Sequence, residues 1–490
     1  MKNSRLYAHV FVALLLLLTA CIKESPAPSP TPGAPTLTLT DTSQPTLTQQ
    51  PTNTSQPTLQ PTETPMNTLT PTPIPQTYRV VAYFPEWGYR LPYLVKNIET
   101  SGAANTVTVI NYAFGLPAPD ASGNVVCTIG NANAAYAQRY TAAMSIDGAA
   151  DGATQPLRGH FNQLLKLKAR HPQIKVVISL GGWSGSGWFS VAARTAESRQ
   201  AFVSSCLSLF IQGNLPPRNH AGGAGAAAGV FDGFDIDWEY PVKGALPTNH
   251  YSPADAQNFV LLLQEFRSQF AALGRPDLLL TMAAPGPGQA GQYEIPNAHP
   301  LLDYIDLMTY DQRGAWSDGT GHHTNLCPSA HDPDAPRHRQ SADRTVRLYR
   351  DTFGVPAEKL LVGSAFYGHG WSSVDATNNG LYRPGIALSE SESSQSRYRD
   401  LVTLIGNGFT RFWDDTASAP WLYSPGQKTF WSYDDPQSLG LKAEYVRNYG
   451  LGGIMFWEIS GDDAQGSLVS AIAGGLQATT PATDPCQGGQ

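Results

Sequence analysis

The stretch FDGFDIDWEYP, residues 231–241, carries four carboxylates, Asp232, Asp235, Asp237 and Glu239, among Phe, Ile and Trp. Successive side chains of a β-strand point to opposite faces. Asp235, Asp237 and Glu239 therefore share one face, while Asp232, Phe234, Ile236 and Trp238 share the other. Such a strand packs its apolar side on helices and turns its acidic side into an enclosed interior. Like charges held close together and partly out of water raise one another's pKa. At least one proton is then shared along Asp235, Asp237 and Glu239 near neutral pH. Glu239, nearest the C-terminal end of the strand, is poised as a neutral carboxylic acid facing a substrate, as a general acid must be. Two other readings compete. A calcium loop of the EF-hand type needs a central Gly and polar surroundings, but DIDWE places Trp there. A solvated acidic strand would not carry Phe, Ile and Trp on its other face.

An interior lined by one strand requires neighbours to enclose it. Strand-like apolar runs fall at 79–85, 106–115, 174–182, 229–240, 278–286, 304–311, 360–368 and 451–460. Helical patterns separate them. The clearest is SPADAQNFVLLLQEFRSQFAAL, residues 252–273, where Phe259, Leu263, Phe266 and Phe270 recur at helical spacing behind a cap-like Ser252-Pro253. Eight such units predict an α/β chain folded as a (β/α)8 TIM barrel. An open doubly wound sheet is the alternative. The count of eight, and the polar and aromatic residues at the C-terminal strand ends, favour the barrel. Residues 371–435 exceed a plain loop and read as a small α+β insertion between strands 7 and 8, walling one side of a cleft.

The expected catalytic domain spans residues 77–476, and the segments outside it read differently. MKNSR is a basic start, and VFVALLLLLTA is too short to remain as a membrane span. It ends in Leu18-Thr19-Ala20-Cys21, which resembles a bacterial lipobox, so residues 1–21 are expected to be a lipoprotein signal peptide with Cys21 the lipidated residue. An ordinary signal peptide is the alternative. Residues 22–76 are built mainly of Pro, Thr, Ser and Gln, a composition that cannot bury a core and reads as a disordered stalk. Residues 477–490 read as an unstructured tail. The other cysteines, Cys127, Cys206, Cys327 and Cys486, show no zinc-ligand spacing, so neither metal nor cofactor is expected. Their pairing does not follow from the sequence, and Cys206 reads as an inert core thiol. A net charge of −7 argues against nucleic acid as a partner.

The motifs, taken in order, resemble glycoside hydrolase family 18, the chitinases. DGFDIDWE matches the family's D-x-x-D-x-D-x-E signature. SLGGW (Ser179, Gly181, Gly182, Trp183), MTYD (Met308, Tyr310, Asp311), FYG (Phe366, Tyr367, Gly368) and GGIMFWEISGD with Trp457 match strands 3, 6, 7 and 8. The resemblance implies hydrolysis of β-1,4 bonds between N-acetylglucosamine units, with the substrate's own acetamide as nucleophile and an oxazolinium intermediate. It implies Glu239 as proton donor, Asp237 as the residue orienting the N-acetyl group, Asp235 sharing its proton, and Tyr310 holding the acetamide. Trp457 would be the floor of the cleaved sugar's site, with Asp311, Met308 and Tyr367 beside it. Asp232 is expected to be structural. Trp87, Trp183 and Trp316, near strand ends, are expected to stack on further sugars. Two departures from the family pattern are Gln312-Arg313, where Phe-Asn is frequent, and His369, where Arg is common. His322 and His323 read as solvated loop residues.

The expected partners are chitin or chito-oligosaccharides and, through the lipid anchor, the outer face of a bacterial membrane. A monomer is expected. An endo-β-N-acetylglucosaminidase or a peptidoglycan-active glycosidase would use the same acidic signature. A non-catalytic chitin-binding lectin on the same barrel would typically lack the glutamate present here as Glu239.

Overall fold

The computed structural model describes residues 78–334, 339–388, 396–480 and 484–486. The expected signal peptide, Cys21 and the stalk lie outside the described residues. Among the described residues, no helix is long and apolar enough to cross a membrane.

Eight parallel strands close into a barrel. They are β1 (Arg79–Pro85), β2 (Val109–Pro119), β3 (Lys175–Gly181), β4 (Gly233–Asp237), β5 (Leu279–Ala284), β6 (Tyr304–Leu307), β7 (Leu360–Ala365) and β8 (Gly453–Trp457). Each pairs with its neighbours in chain order, and β8 returns to pair with β1. That closure rules out the open sheet, and each strand lies within or overlaps the corresponding run in the sequence. An extra strand, Val125–Ile129, pairs antiparallel with the end of β2.

Alternation along the strands sorts side chains into two layers. Val81, Tyr83, Val109, Val177, Tyr304, Leu361 and Met455 fill the barrel interior, joined by the partly buried Met308, Tyr310 and Trp457. Val80, Ala82, Phe84, Phe234, Ile236 and Trp238 belong to the outer layer packed against the helices. The expected helix forms as Asp255–Ala272, with Phe259, Leu263, Phe266 and Phe270 buried. It begins three residues after Ser252, whose backbone N–H donates to the Asp255 carboxylate at 2.6 Å. The insertion between β7 and β8 is a five-stranded antiparallel sheet over Gly368–Ser372, Ile386–Ala387, Thr410–Asp414, Ala419–Ser424 and Thr429–Tyr433.

Two sequence expectations are corrected here. Cys206 is buried but is no free thiol: it is bonded to Cys127, tying the extra strand to helix Ala196–Cys206, with Cα atoms 4.9 Å apart. Cys486, in the tail expected to lack structure, is bonded to Cys327. Nearby, the Tyr449 hydroxyl donates to Asp484 at 2.6 Å, and Arg447 donates to the Ala478 and Thr480 carbonyls.

Candidate active site

Strand β4 lies between β3 and β5, with Ser179 and Thr281 level with Asp235 across the two ladders. Both hydroxyls donate to the Asp235 carboxylate at 2.8 Å, and the Tyr83 hydroxyl donates at 2.7 Å. Asp235 is fully buried. Burial pushes its pKa up, and the three donors oppose that push by favouring the ionised form. Asp237, one pleat further on, is also buried, and its Oδ1 has no hydrogen-bond partner. Burial first, then the charges of Glu239, Asp235 and Asp306, push its pKa well above the carboxylate range. A carboxyl group without donors among carboxylates is where a shared proton rests.

Glu239 stands just past the end of β4, and its side chain is partly exposed. Burial and, behind it, the charge of Asp311 raise its pKa to about 7. Its backbone N–H donates to Ser186 Oγ at 2.8 Å, and Asn249 Nδ2 donates to its carbonyl at 3.3 Å. Gly181 and Gly182 make room for this arrangement. Both have positive φ, +107° and +77°, and a Cβ on Gly181 would collide with the Asp237 carbonyl. Asp232 faces the other way, accepting from the Val176 backbone at 2.8 Å and pairing with Lys168 at 2.7 Å.

The open end of the barrel carries the remaining expected residues. The Tyr310 hydroxyl rests on the Met455 thioether at 3.6 Å, a weak acceptor that leaves the phenol free for a ligand. Burial, then Asp237 and Asp311, keeps this phenol neutral and able to donate. Trp457 stacks on Phe114 at 5.7 Å and lies 5.5 Å from Tyr83 and 6.1 Å from Trp87, measured between ring centres. Trp87, Trp183 and Trp316 are 37%, 49% and 64% exposed, which leaves a face on each for a ligand. Trp421 and Trp431 are buried in the insertion instead. Asp311 accepts from the Tyr367 hydroxyl at 2.5 Å and from His369 Nε2 at 2.8 Å.

The sequence reading missed Asp306 and Phe114, and it misplaced the histidine pair. Asp306, on β6, is buried, takes one donor from Asn111 at 3.2 Å, and has its pKa pushed up by burial and by Asp235. Its signal was strand parity: Asp306, Met308 and Tyr310 alternate along one line. His322 and His323 are not solvated loop residues. Both are buried, His322 lies 3.3 Å from the Asp414 carboxylate, and His323 packs beneath His369. Arg313 turns away from the acidic column to pair with Asp332 at 2.8 Å and Asp334 at 2.9 Å.

The sequence profile of the family described as Glycosyl hydrolases family 18 matches residues 79–462, from the first barrel strand to the turn after the eighth. The chain belongs to that family. Among the proteins it is similar to is Chitinase A1 of Niallia circulans, 35% identical over 419 residues, 79% of this chain and 57% of that one. Chitinase 63 of Streptomyces plicatus is 37% identical over 404 residues, 81% of this chain and 60% of that one. The chain thus spans about three fifths of the length of these relatives. The solved catalytic domain of psychrophilic chitinase B from Arthrobacter TAD20 superposes with a TM-score of 0.75 at 38% identity, covering 83% of this chain and 97% of that one.

Proposed function

We propose that this chain is a chitinase that hydrolyses β-1,4 bonds between N-acetylglucosamine units with retention of configuration. The observation that carries the reading is the partly exposed Glu239, with its pKa near 7, at the end of the buried carboxylate column. A group poised there delivers a proton to a glycosidic oxygen at neutral pH. Family 18 is an exception to the scheme in which a second carboxylate is the nucleophile. The acetamide oxygen of the substrate attacks the anomeric carbon as the glycosidic bond breaks, and the leaving oxygen takes the Glu239 proton. An attacking group within the same sugar has a high effective molarity, which removes several kcal/mol of barrier. Asp237 and Tyr310 offer a carboxyl group and a neutral phenol to the charge that develops on the acetamide. Water then opens the oxazolinium ion, with Glu239 as base.

The same reading makes the exposed Trp87, Trp183 and Trp316 subsites for further sugars, with Trp457 beneath the sugar being cleaved. It also makes the protein a monomeric, lipid-anchored, cell-surface enzyme, with Cys21 modified and residues 22–76 as its stalk. The basic start and the small residues before Cys21 support the anchor. Radiolabelled palmitate incorporated by wild type and not by Cys21→Ala tests it. For the activity, colloidal chitin and a high-mannose glycopeptide are offered in parallel. Release of chito-oligosaccharides with the β-anomer in excess supports the proposal. Glycan release from the glycopeptide alone would replace it with an endo-β-N-acetylglucosaminidase.

A further inference from the structure

Asp311 and His323 come from two points of the loop after β6, and His369 from the first strand of the insertion; no spacing along the chain announces their meeting. One nitrogen from each histidine and one oxygen from Asp311 lie within 4.8 Å of one another. His369 Nε2 is 2.8 Å from Asp311 Oδ1, and His323 Nδ1 is 3.9 Å from the same oxygen.

The hydrogen bonding of His323 is the informative part. Its Nε2 is 3.3 Å from the Tyr367 carbonyl. A carbonyl only accepts, so Nε2 carries the hydrogen and, in the neutral ring, Nδ1 presents a lone pair. That Nδ1 is buried, has no hydrogen-bond partner, and faces a carboxylate oxygen. A lone pair aimed at an anion without a proton between them is unfavourable, and a cation placed between them removes the conflict. An imidazole fixed through one nitrogen by a carbonyl, with the other bare, is also how metal-binding histidines are oriented. The ring is held on its backbone side too: the His323 N–H donates to Ser432 Oγ at 2.9 Å, and its carbonyl accepts from Gln312 at 3.0 Å.

We propose that Asp311, His323 and His369 form a binding site for a transition-metal dication of the Zn2+ or Cu2+ class, between the loop after β6 and the insertion. Two imidazoles and a carboxylate suit those ions rather than Ca2+ or Mg2+. A common centre lies about 2.4 Å from all three atoms at the widest spacing, a few tenths of an ångström beyond ordinary zinc bonds. Small side-chain rotations close that gap. The ion takes the place of the hydrogen now between His369 Nε2 and Asp311 Oδ1, and the His369 ring carries its hydrogen on Nδ1 instead. The Tyr367 hydroxyl or a water completes the coordination. Occupancy would engage Asp311 and obstruct sugar binding; that consequence rests on the proposed function, whereas metal binding does not.

The test uses full-length protein stripped with chelator and no substrate, so failure of the metal site and failure of the chitinase reading register separately. Zn2+ is titrated by calorimetry, and one equivalent of Cu2+ is examined by electron paramagnetic resonance. The expected result is one saturable site with coupling to two imidazole nitrogens. His323→Gln and His369→Arg each weaken Zn2+ binding by at least about tenfold and leave coupling to a single imidazole. The arginine variant still offers Asp311 a hydrogen-bond donor, so it decides the matter if His323→Gln fails to fold. Absence of one-to-one binding, or unchanged affinity in variants that melt like wild type, overturns the proposal.

Discussion

In the proposed reaction Glu239 holds a proton when the sugar arrives and is without it when water follows, and a pKa near 7 permits both. Replacing it by Gln keeps the shape and removes the proton. The expected outcome for Glu239→Gln is a fall in kcat of several orders of magnitude with chito-oligosaccharide binding retained, read by steady-state kinetics beside calorimetry. Equal turnover would end its assignment as the acid, whereas binding without turnover in wild type would favour the lectin reading. The charge of Asp311 is one of the two causes that raise Glu239, after burial. Asp311→Asn should therefore lower that pKa and move the basic limb of the kcat/KM profile to more acidic pH. A limb that stays in place would show that burial alone sets it. Asp237→Asn is expected to impair activity and alter the profile, since Asp237 is among the groups sharing the proton.

Those residues act only because their elements meet in register. Asp235 finds Ser179 and Thr281 because β3 and β5 lie level with β4, and Tyr83 reaches it across the barrel. Strand alternation made the acidic column legible in the sequence, and the matching motifs located Tyr310 and Trp457. Buried His322 and His323 were not legible, because their burial depends on the insertion folding over them. Nor was the Cys127–Cys206 bond, whose ends are 79 residues apart. Gly181→Ala tests the turn after β3: its Cβ would meet the Asp237 carbonyl at a backbone angle that L-residues rarely adopt. The expected result is a lower melting temperature together with a lower kcat, and wild-type values for both would show that the turn yields freely. Cys127→Ser with Cys206→Ser removes a cross-link that closes a loop of 79 residues, worth about 4.5 kcal/mol by loop entropy. Calorimetry should show a lower Tm, and no loss would mean that the strand is held by packing alone.

Across the molecule, several carboxyl groups have folded-state pKa values above their unfolded ones: Glu86 and Glu239 at about 7, Asp462 at about 6, with Asp237 and Asp306 also raised. Such groups bind more protons folded than unfolded between the ordinary carboxylate range near 4 and their raised values. Their contribution to stability is complete below that range and is lost as pH rises through the folded pKa. Buried His160 and His323, whose pKa values are lowered by burial, pull the other way below about pH 6.5, so melting temperature should decline between about pH 6.5 and pH 8, and Asp306→Asn should flatten the decline. Identical slopes in both proteins would remove Asp306 from the cause. Eight repeating units made the barrel legible at this scale, whereas the bond to Cys486 was hidden because its partner, Cys327, lies 159 residues upstream. The Cys327–Cys486 link also sets a timetable. A ribosome must add 159 residues after Cys327 before that bond can close, so the barrel strands and the insertion sheet that follow it can form while the thiol at 327 still waits for its partner.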